Sequence, residues 1–154
     1  MASAADVARL RSETGAGVME CKRALEEAKG DFDQAKGLLK ERGLAKAAKK
    51  SDRETKEGVV EAYIHAGGRI GALVELASET DFVSRNQDFK DLARSIAMQV
   101  AAMEPSDVET LLKQDFIKEP SKTIGDLVAA LAASTGENVQ VRRIARFELG
   151  KASS

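Results

Sequence analysis

The side chains that could do chemistry in this chain are few. There is one cysteine, Cys21, and one histidine, His65. Together they could form a thiolate–imidazole nucleophile pair. Cys21, however, lies on an apolar helical stripe, where thiols are inert, and His65 stands at the end of a hairpin. One His and one Cys are too few for a zinc site without several carboxylates. The acidic pair Glu26 and Glu27 sits on a solvated helix face rather than around a cleft. No Gly-rich loop ending in Lys-Ser or Lys-Thr is present to cradle phosphates. The chain therefore reads as a protein without a catalytic constellation, cofactor or metal. The one stretch placed to act on something else is Glu79-Thr80-Asp81-Phe82-Val83, where an acid and a large aromatic meet at a strand-to-helix junction. Phe82 could cap the core and Asp81 the helix, or both could project into a partner.

The elements around that junction follow from hydrophobic periodicity. Ser3 with Asp6 caps a first helix edged by Val7 and Leu10. Thr14-Gly15-Ala16-Gly17 breaks it. A second helix turns Val18, Cys21, Ala24, Leu25 and Ala28 inward and stops at Gly30. Asp31 with Gln34 caps a third, lined by Phe32, Ala35, Leu38 and Leu39 and expected to stop at Gly43. Met19 does not fit the second helix's core stripe. Its helical neighbours are Lys22, Arg23 and Glu26, so it lies on a polar face, where an exposed thioether is either incidental or an adaptable contact. Residues 44–57 are charged and read as a solvated linker or a helical extension; a phosphate-binding patch is the sharper alternative.

Residues 59–66 and 69–79 read as two strands joined through Gly67-Gly68, a two-residue turn that pairs His65 with Ile70, Tyr63 with Ala72 and Glu61 with Val74. Val59, Tyr63, Ile70, Ala72, Val74 and Leu76 share one face. Val60, Ala62, Ile64, Leu73 and Ala77 share the other. Apolar residues on both faces suggest that both are covered, one by helices and the other by a second copy of the sheet. Ser84 with Gln87 starts the main covering helix, with a stripe of Phe89, Leu92, Ala93, Ile96, Ala97, Val100 and Met103, ended by Pro105. Ser106 with Glu109 starts a short helix. Thr123 with Asp126 starts another, with Ile124, Leu127, Val128 and Leu131 inward, stopped by Thr135-Gly136. Val139, Val141, Ala145, Phe147 and Leu149 alternate as a third strand opposite Arg142, Ile144 and Arg146, and the tail beyond is expected to fray.

The fold class is thus α+β: a small three-helix N-terminal domain (1–45), a charged linker (46–57), and a core domain (58–150) with a three-stranded antiparallel sheet packed with helices, followed by a tail (151–154). A formal net charge of -1 and an aromatic content of 4% give no reason to expect nucleic acid as partner. No stretch has the length or apolarity of a signal peptide or membrane span, and a lone cysteine fits a reducing compartment, so a cytoplasmic protein is expected.

Several motifs in matching order carry a resemblance: TGAGVMECKRALEEAKGDFDQA (14–35), KAAKK (46–50), ETDFV (79–83) and GENVQVRRIARFELG (136–150). Together they resemble elongation factor Ts, over nearly the whole chain. The resemblance implies a guanine-nucleotide exchange factor for the GTPase elongation factor Tu. It implies that Thr80, Asp81, Phe82 and Val83 displace the GTPase's magnesium ion, and that Arg11, Val18 and Met19 contact the GTPase domain. Helical periodicity places Val18 inward, which fits that role less well. The chain resembles the short forms of the family, which act as homodimers through sheet-to-sheet packing. Some of these join the dimer through a last-strand cysteine where this chain has Ala145. The three helices also resemble ubiquitin-associated modules in shape. A non-catalytic helical adaptor dimerising through its sheet is the alternative reading, and RNA binding through residues 46–56 a third.

Overall fold

The computed structural model describes residues 2–151; of the tail expected to fray from Lys151, Lys151 itself donates its N–H to the Glu148 carbonyl at 3.2 Å, and the rest lies outside the described residues. The chain divides into two compact units. One runs to Asp52 and includes Ala129–Glu137; the other comprises Arg53–Val128 and the chain from Asn138 onward.

The first unit holds α1 (Ala4–Thr14), α2 (Val18–Glu27) and α3 (Phe32–Lys50). The Ser3 hydroxyl accepts from the Asp6 N–H at 3.0 Å, and Asp31 accepts from the Gln34 N–H at 3.0 Å, so both expected caps form. Gly15, at φ 72°, closes α1 by donating to the Arg11 carbonyl. Leu10, Cys21, Ala24, Leu25, Ala28, Ala35 and Leu39 form the core, with Val7, Phe32 and Leu38 partly buried at its edge. The Arg9 guanidinium covers the Phe32 ring at 4.3 Å.

Two expectations fail here. Helix α3 does not stop at Gly43 but continues to Lys50. An interior glycine costs only about 1 kcal/mol relative to alanine, and Ala45, Lys46, Ala47, Ala48 and Lys49 are all good helix formers. Lys46 in the extension pairs with Glu20 of α2, and Arg42, just before Gly43, pairs with Glu27. Of the charged segment expected as a linker, only residues 51–56 lie outside regular structure. Val18 is not inward either. As the first residue of α2 it precedes the turn that faces the core, and it is 48% exposed.

The second unit is built on an antiparallel sheet of β1 (Glu57–Ile64), β2 (Ile70–Ser78) and β5 (Val139–Glu148), in the order β1-β2-β5. The register is the expected one, with Tyr63 opposite Ala72 and Glu61 opposite Val74, and the His65 N–H donating to the Ile70 carbonyl at 2.9 Å. The tight turn itself sits one residue earlier than expected, because the Gly68 N–H closes onto the His65 carbonyl. Gly58 is required by space: a Cβ there would lie 2.2 Å from the Leu76 carbonyl oxygen.

Helix α5 (Gln87–Met103) covers the sheet face formed by Ala72, Val74 and Leu76, burying Phe89, Ala93, Ile96, Ala97 and Val100. Met103, expected inward, is exposed where the helix ends. The cap of α5 is Asn86 rather than Ser84, accepting from the Asp88 N–H at 2.8 Å. Helix α6 (Val108–Lys113) is capped by Asp107 rather than Ser106, with the Thr110 N–H at 2.7 Å. Helix α7 (Ile124–Thr135) begins with a full reciprocal box: Asp126 N–H to Thr123 Oγ1 at 3.0 Å, and Thr123 N–H to Asp126 Oδ2 at 2.9 Å. Between α6 and α7 lies a small hairpin absent from the sequence reading, β3 (Asp115–Phe116) with β4 (Glu119–Thr123). The buried Gln99 side chain pins it, donating to the Asp115 carbonyl at 3.0 Å and accepting from the Ile117 N–H at 3.1 Å.

The third strand corrects the expected faces. A bulge beside Arg142 shifts the register between Glu75/Arg143 and Leu76/Val141. The extra residue reverses the alternation. Val139 and Val141 therefore join the helix-covered face, while Ala145 and Phe147 stand on the other. Arg146 falls on the covered side, where its Nε donates to the Ala101 carbonyl at 3.0 Å near the α5 C-terminus.

The opposite face is open in this chain. Val60, Ile64, Leu73 and Phe147 are exposed there, and register brings Ala62, Leu73 and Ala145 into one row and Ile64, Gly71 and Phe147 into the next. The expected two-sided cover is therefore supplied on one side only.

Candidate functional site

Strand β2 ends at Ser78, and three residues later the chain forms a one-turn helix, α4 (Asp81–Ser84). Thr80 is its N-cap, with the Val83 N–H 3.5 Å from its hydroxyl. The Asp81 carbonyl accepts from the Arg85 N–H at 3.0 Å and from the Ser84 hydroxyl at 3.1 Å. The Ser78 hydroxyl, fully buried, donates to the Thr80 carbonyl at 2.9 Å. The turn is thus determined by short-range bonds rather than by a sheet ladder.

The four residues of the tip divide sharply. Val83 is 5% exposed and anchors α4 to the core, and α4 packs against β1 and β2. Phe82, the next residue back, is 85% exposed. Asp81 is exposed and pairs with Arg85 at 3.2 Å, an i,i+4 contact that contributes little in water. Phe82 does not cap the core, and the cap role that Asp81 was offered belongs to Thr80. Leaving a phenylalanine in water forgoes about 1.5–3 kcal/mol of burial, and that free energy is recovered if a partner covers the ring.

The remaining candidates lie where α1 passes into α2, and are described within the first unit alone. Arg11 is exposed in the last turn of α1. Val18 and Met19 open α2, and Met19 is 58% exposed. Beside Met19, Glu20 is held below the usual carboxylate range, chiefly by its bond to Lys46. Two residues on, Cys21 faces the opposite way, into the core; burial pushes its thiol up, away from reactivity.

Sequence reasoning missed the residues behind the tip. The Glu79 carboxylate accepts from the Asn138 N–H at 2.7 Å and pairs with Arg53 at 3.4 Å, and the Asn138 side chain donates to the Arg53 carbonyl at 2.7 Å. The only signal in the sequence is the position of Glu79 immediately before Thr80. Among the described residues, no group of three His, Cys, Asp or Glu side chains is placed to hold a metal ion, and no helix is long and apolar enough to cross a membrane.

Comparison with known proteins bears on this arrangement. The family model described as elongation factor TS matches residues 79–154, starting at Glu79. The chain is 44% identical to elongation factor Ts of Carboxydothermus hydrogenoformans, covering 94% of this chain and 88% of that relative. It is 42% identical to elongation factor Ts of Heliobacterium modesticaldum, covering 98% and 91%, and 40% identical to that of Caldanaerobacter subterraneus subsp. tengcongensis, covering 98% of each. These alignments run over 190, 196 and 196 positions, so the relatives carry internal segments that this chain of 154 residues lacks. With that degree of identity over almost its whole length, the chain belongs to the elongation factor Ts family.

Proposed function

We propose that this chain is a guanine-nucleotide exchange factor for elongation factor Tu, acting in the cytoplasm during translation elongation and performing no bond chemistry of its own. The observation that carries the reading is Phe82, an aromatic ring 85% exposed on a turn whose next residue is buried.

A translational GTPase holds GDP through a phosphate loop and a magnesium ion that neutralises phosphate charge. A protein that binds the emptied GTPase better than the GDP form must weaken GDP binding by the same factor. Each factor of ten corresponds to about 1.4 kcal/mol. Burying the Phe82 ring in the partner recovers about 1.5–3 kcal/mol, enough to hold apart the elements that place the magnesium ion. Asp81, exposed beside it, orients the tip or pairs with groups released from the ion's surroundings. Thr80 and Val83 shape the tip from below, one as cap and one as anchor. Arg11, Val18 and Met19 grip the GTPase domain so that the tip acts at the right place.

The open sheet face supplies a second part of the reading. An exposed face carrying Val60, Ile64, Leu73 and Phe147 is suited to a second copy of the same face, giving a homodimer. Ala145 in β5 leaves that dimer without a covalent link there. Stopped-flow release of fluorescent GDP from elongation factor Tu tests the main reading. The full chain at saturating concentration accelerates release; an adaptor that merely tethers does not.

A further inference from the structure

Ladder pairing of β2 ends at Ser78, which lies opposite Glu57 on one side and Val139 on the other. Beyond it the chain must carry an exposed aromatic without the support of a sheet. Side-chain-to-backbone bonds take over from the ladder. The buried Ser78 hydroxyl holds the Thr80 carbonyl at 2.9 Å, and the Glu79 carboxylate takes the Asn138 N–H at 2.7 Å. Asn138 is itself buried, and its amide reaches the Arg53 carbonyl at 2.7 Å. Arg53 closes the circuit through its guanidinium at 3.4 Å from Glu79. Three segments far apart in the chain, the entry to β1, the end of β2 and the start of β5, thus meet directly behind the tip.

We propose that Glu79, closed into this circuit with Asn138 and Arg53, is a positioning residue for Phe82: it fixes the chain at the root of α4 so that the ring is presented in one direction. This rests on Phe82 acting as the wedge. The bond from the Asn138 N–H carries most of the effect, since a short charge-assisted bond to a buried backbone group outweighs a long, largely exposed ion pair. Preorganisation matters here because a tip that must first be ordered on contact loses part of its binding free energy to that ordering.

The test uses the full chain with Glu79→Ala, Glu79→Gln and Phe82→Ala, alone and combined. In Glu79→Ala, hydrogen exchange at the Ser84 and Arg85 amides, which close α4, rises about tenfold, while amides in the middle of α5 keep their protection. The saturating rate of GDP release falls about tenfold, equivalent to about 1.4 kcal/mol, with little change in the concentration for half-maximal effect. Glu79→Gln, which keeps an acceptor for the Asn138 N–H, restores most of the rate. Adding Phe82→Ala to Glu79→Ala costs far less than Phe82→Ala costs alone. Unchanged exchange at Ser84 and Arg85, or additive losses in the double variant, overturns the proposal and leaves the wedge intact. A Phe82→Ala chain that releases GDP at the unaltered rate overturns the wedge itself, and with it the purpose assigned to Glu79.

Discussion

Phe82 and Val83 are consecutive residues with opposite surroundings: Val83 is 5% exposed and locks a single helical turn onto the sheet unit, while Phe82 is 85% exposed. The pair separates an anchor from an exposed ring within two residues. Val83→Ala should therefore lower stability by about 2 kcal/mol, the loss of two buried methyl groups and the cavity they leave. Phe82→Ala should leave the thermal midpoint within a degree or two, about the effect expected of a surface change. Thermal unfolding followed by circular dichroism distinguishes them.

The same separation holds at the head of α2. Met19 is 58% exposed, whereas Leu10 and Cys21 are fully buried. Met19→Ala should weaken binding to elongation factor Tu, measured by calorimetry, with the melting temperature nearly unchanged. Leu10→Ala should instead cost about 3 kcal/mol of stability, as cavities at fully buried leucines do. A large melting-temperature drop in Met19→Ala would count against an exposed contact.

Acid should loosen the α3 extension. The bond to Lys46 holds Glu20 below its ordinary value of 4.5. A carboxylate depressed in the folded state contributes stability above its unfolded pKa and loses it as pH falls through the folded value. Midpoints compared between about pH 5 and about pH 3 should therefore decline, and Lys46→Met should flatten part of that decline. The step is small because both partners are substantially exposed.

The open face makes its own prediction. Phe147 is 75% exposed, in register with Gly71 and Ile64. Phe147→Glu should convert a dimer to a monomer in light scattering while the far-ultraviolet dichroism is retained. A wild-type chain that scatters as a monomer at the same concentration would remove the sheet-to-sheet dimer from the account.

Much of this arrangement can be read from local rules. Ser3, Asp31 and Thr123 cap helices as their positions require, and the hairpin keeps the expected register although its turn closes from His65 to Gly68. What escaped the sequence depends on competition or on distance. Asn86 wins the cap from Ser84, and Asp107 from Ser106, because neighbouring residues offer the same chemistry and tertiary packing chooses between them. Gly43 fails to stop α3 because its cost is small against the run of good helix formers from Ala45 to Lys49, and Lys46 adds a pair with Glu20, 26 residues back. The bulge at Arg142 lies where Arg143 interrupts the apolar residues at odd positions, and one extra residue divides that series between two faces. At the tip, residue type alone left Phe82 balanced between core and surface. Burial of Val83 and the bonds of Thr80 and Ser78 decide its exposure; Thr80 is a recognisable cap type, but the burial of Val83 and the Ser78 bond depend on the folded sheet.

The central claim is that an exposed ring on an anchored turn favours the emptied form of a GTPase. Its most direct test is stopped-flow release of fluorescent GDP from elongation factor Tu at saturating concentrations of the wild-type and Phe82→Ala chains, with folding checked in parallel. The variant should fold normally while its saturating release rate drops by about tenfold or more, a loss of at least about 1.4 kcal/mol of coupling. A folded Phe82→Ala chain that accelerates release as well as the wild type contradicts it.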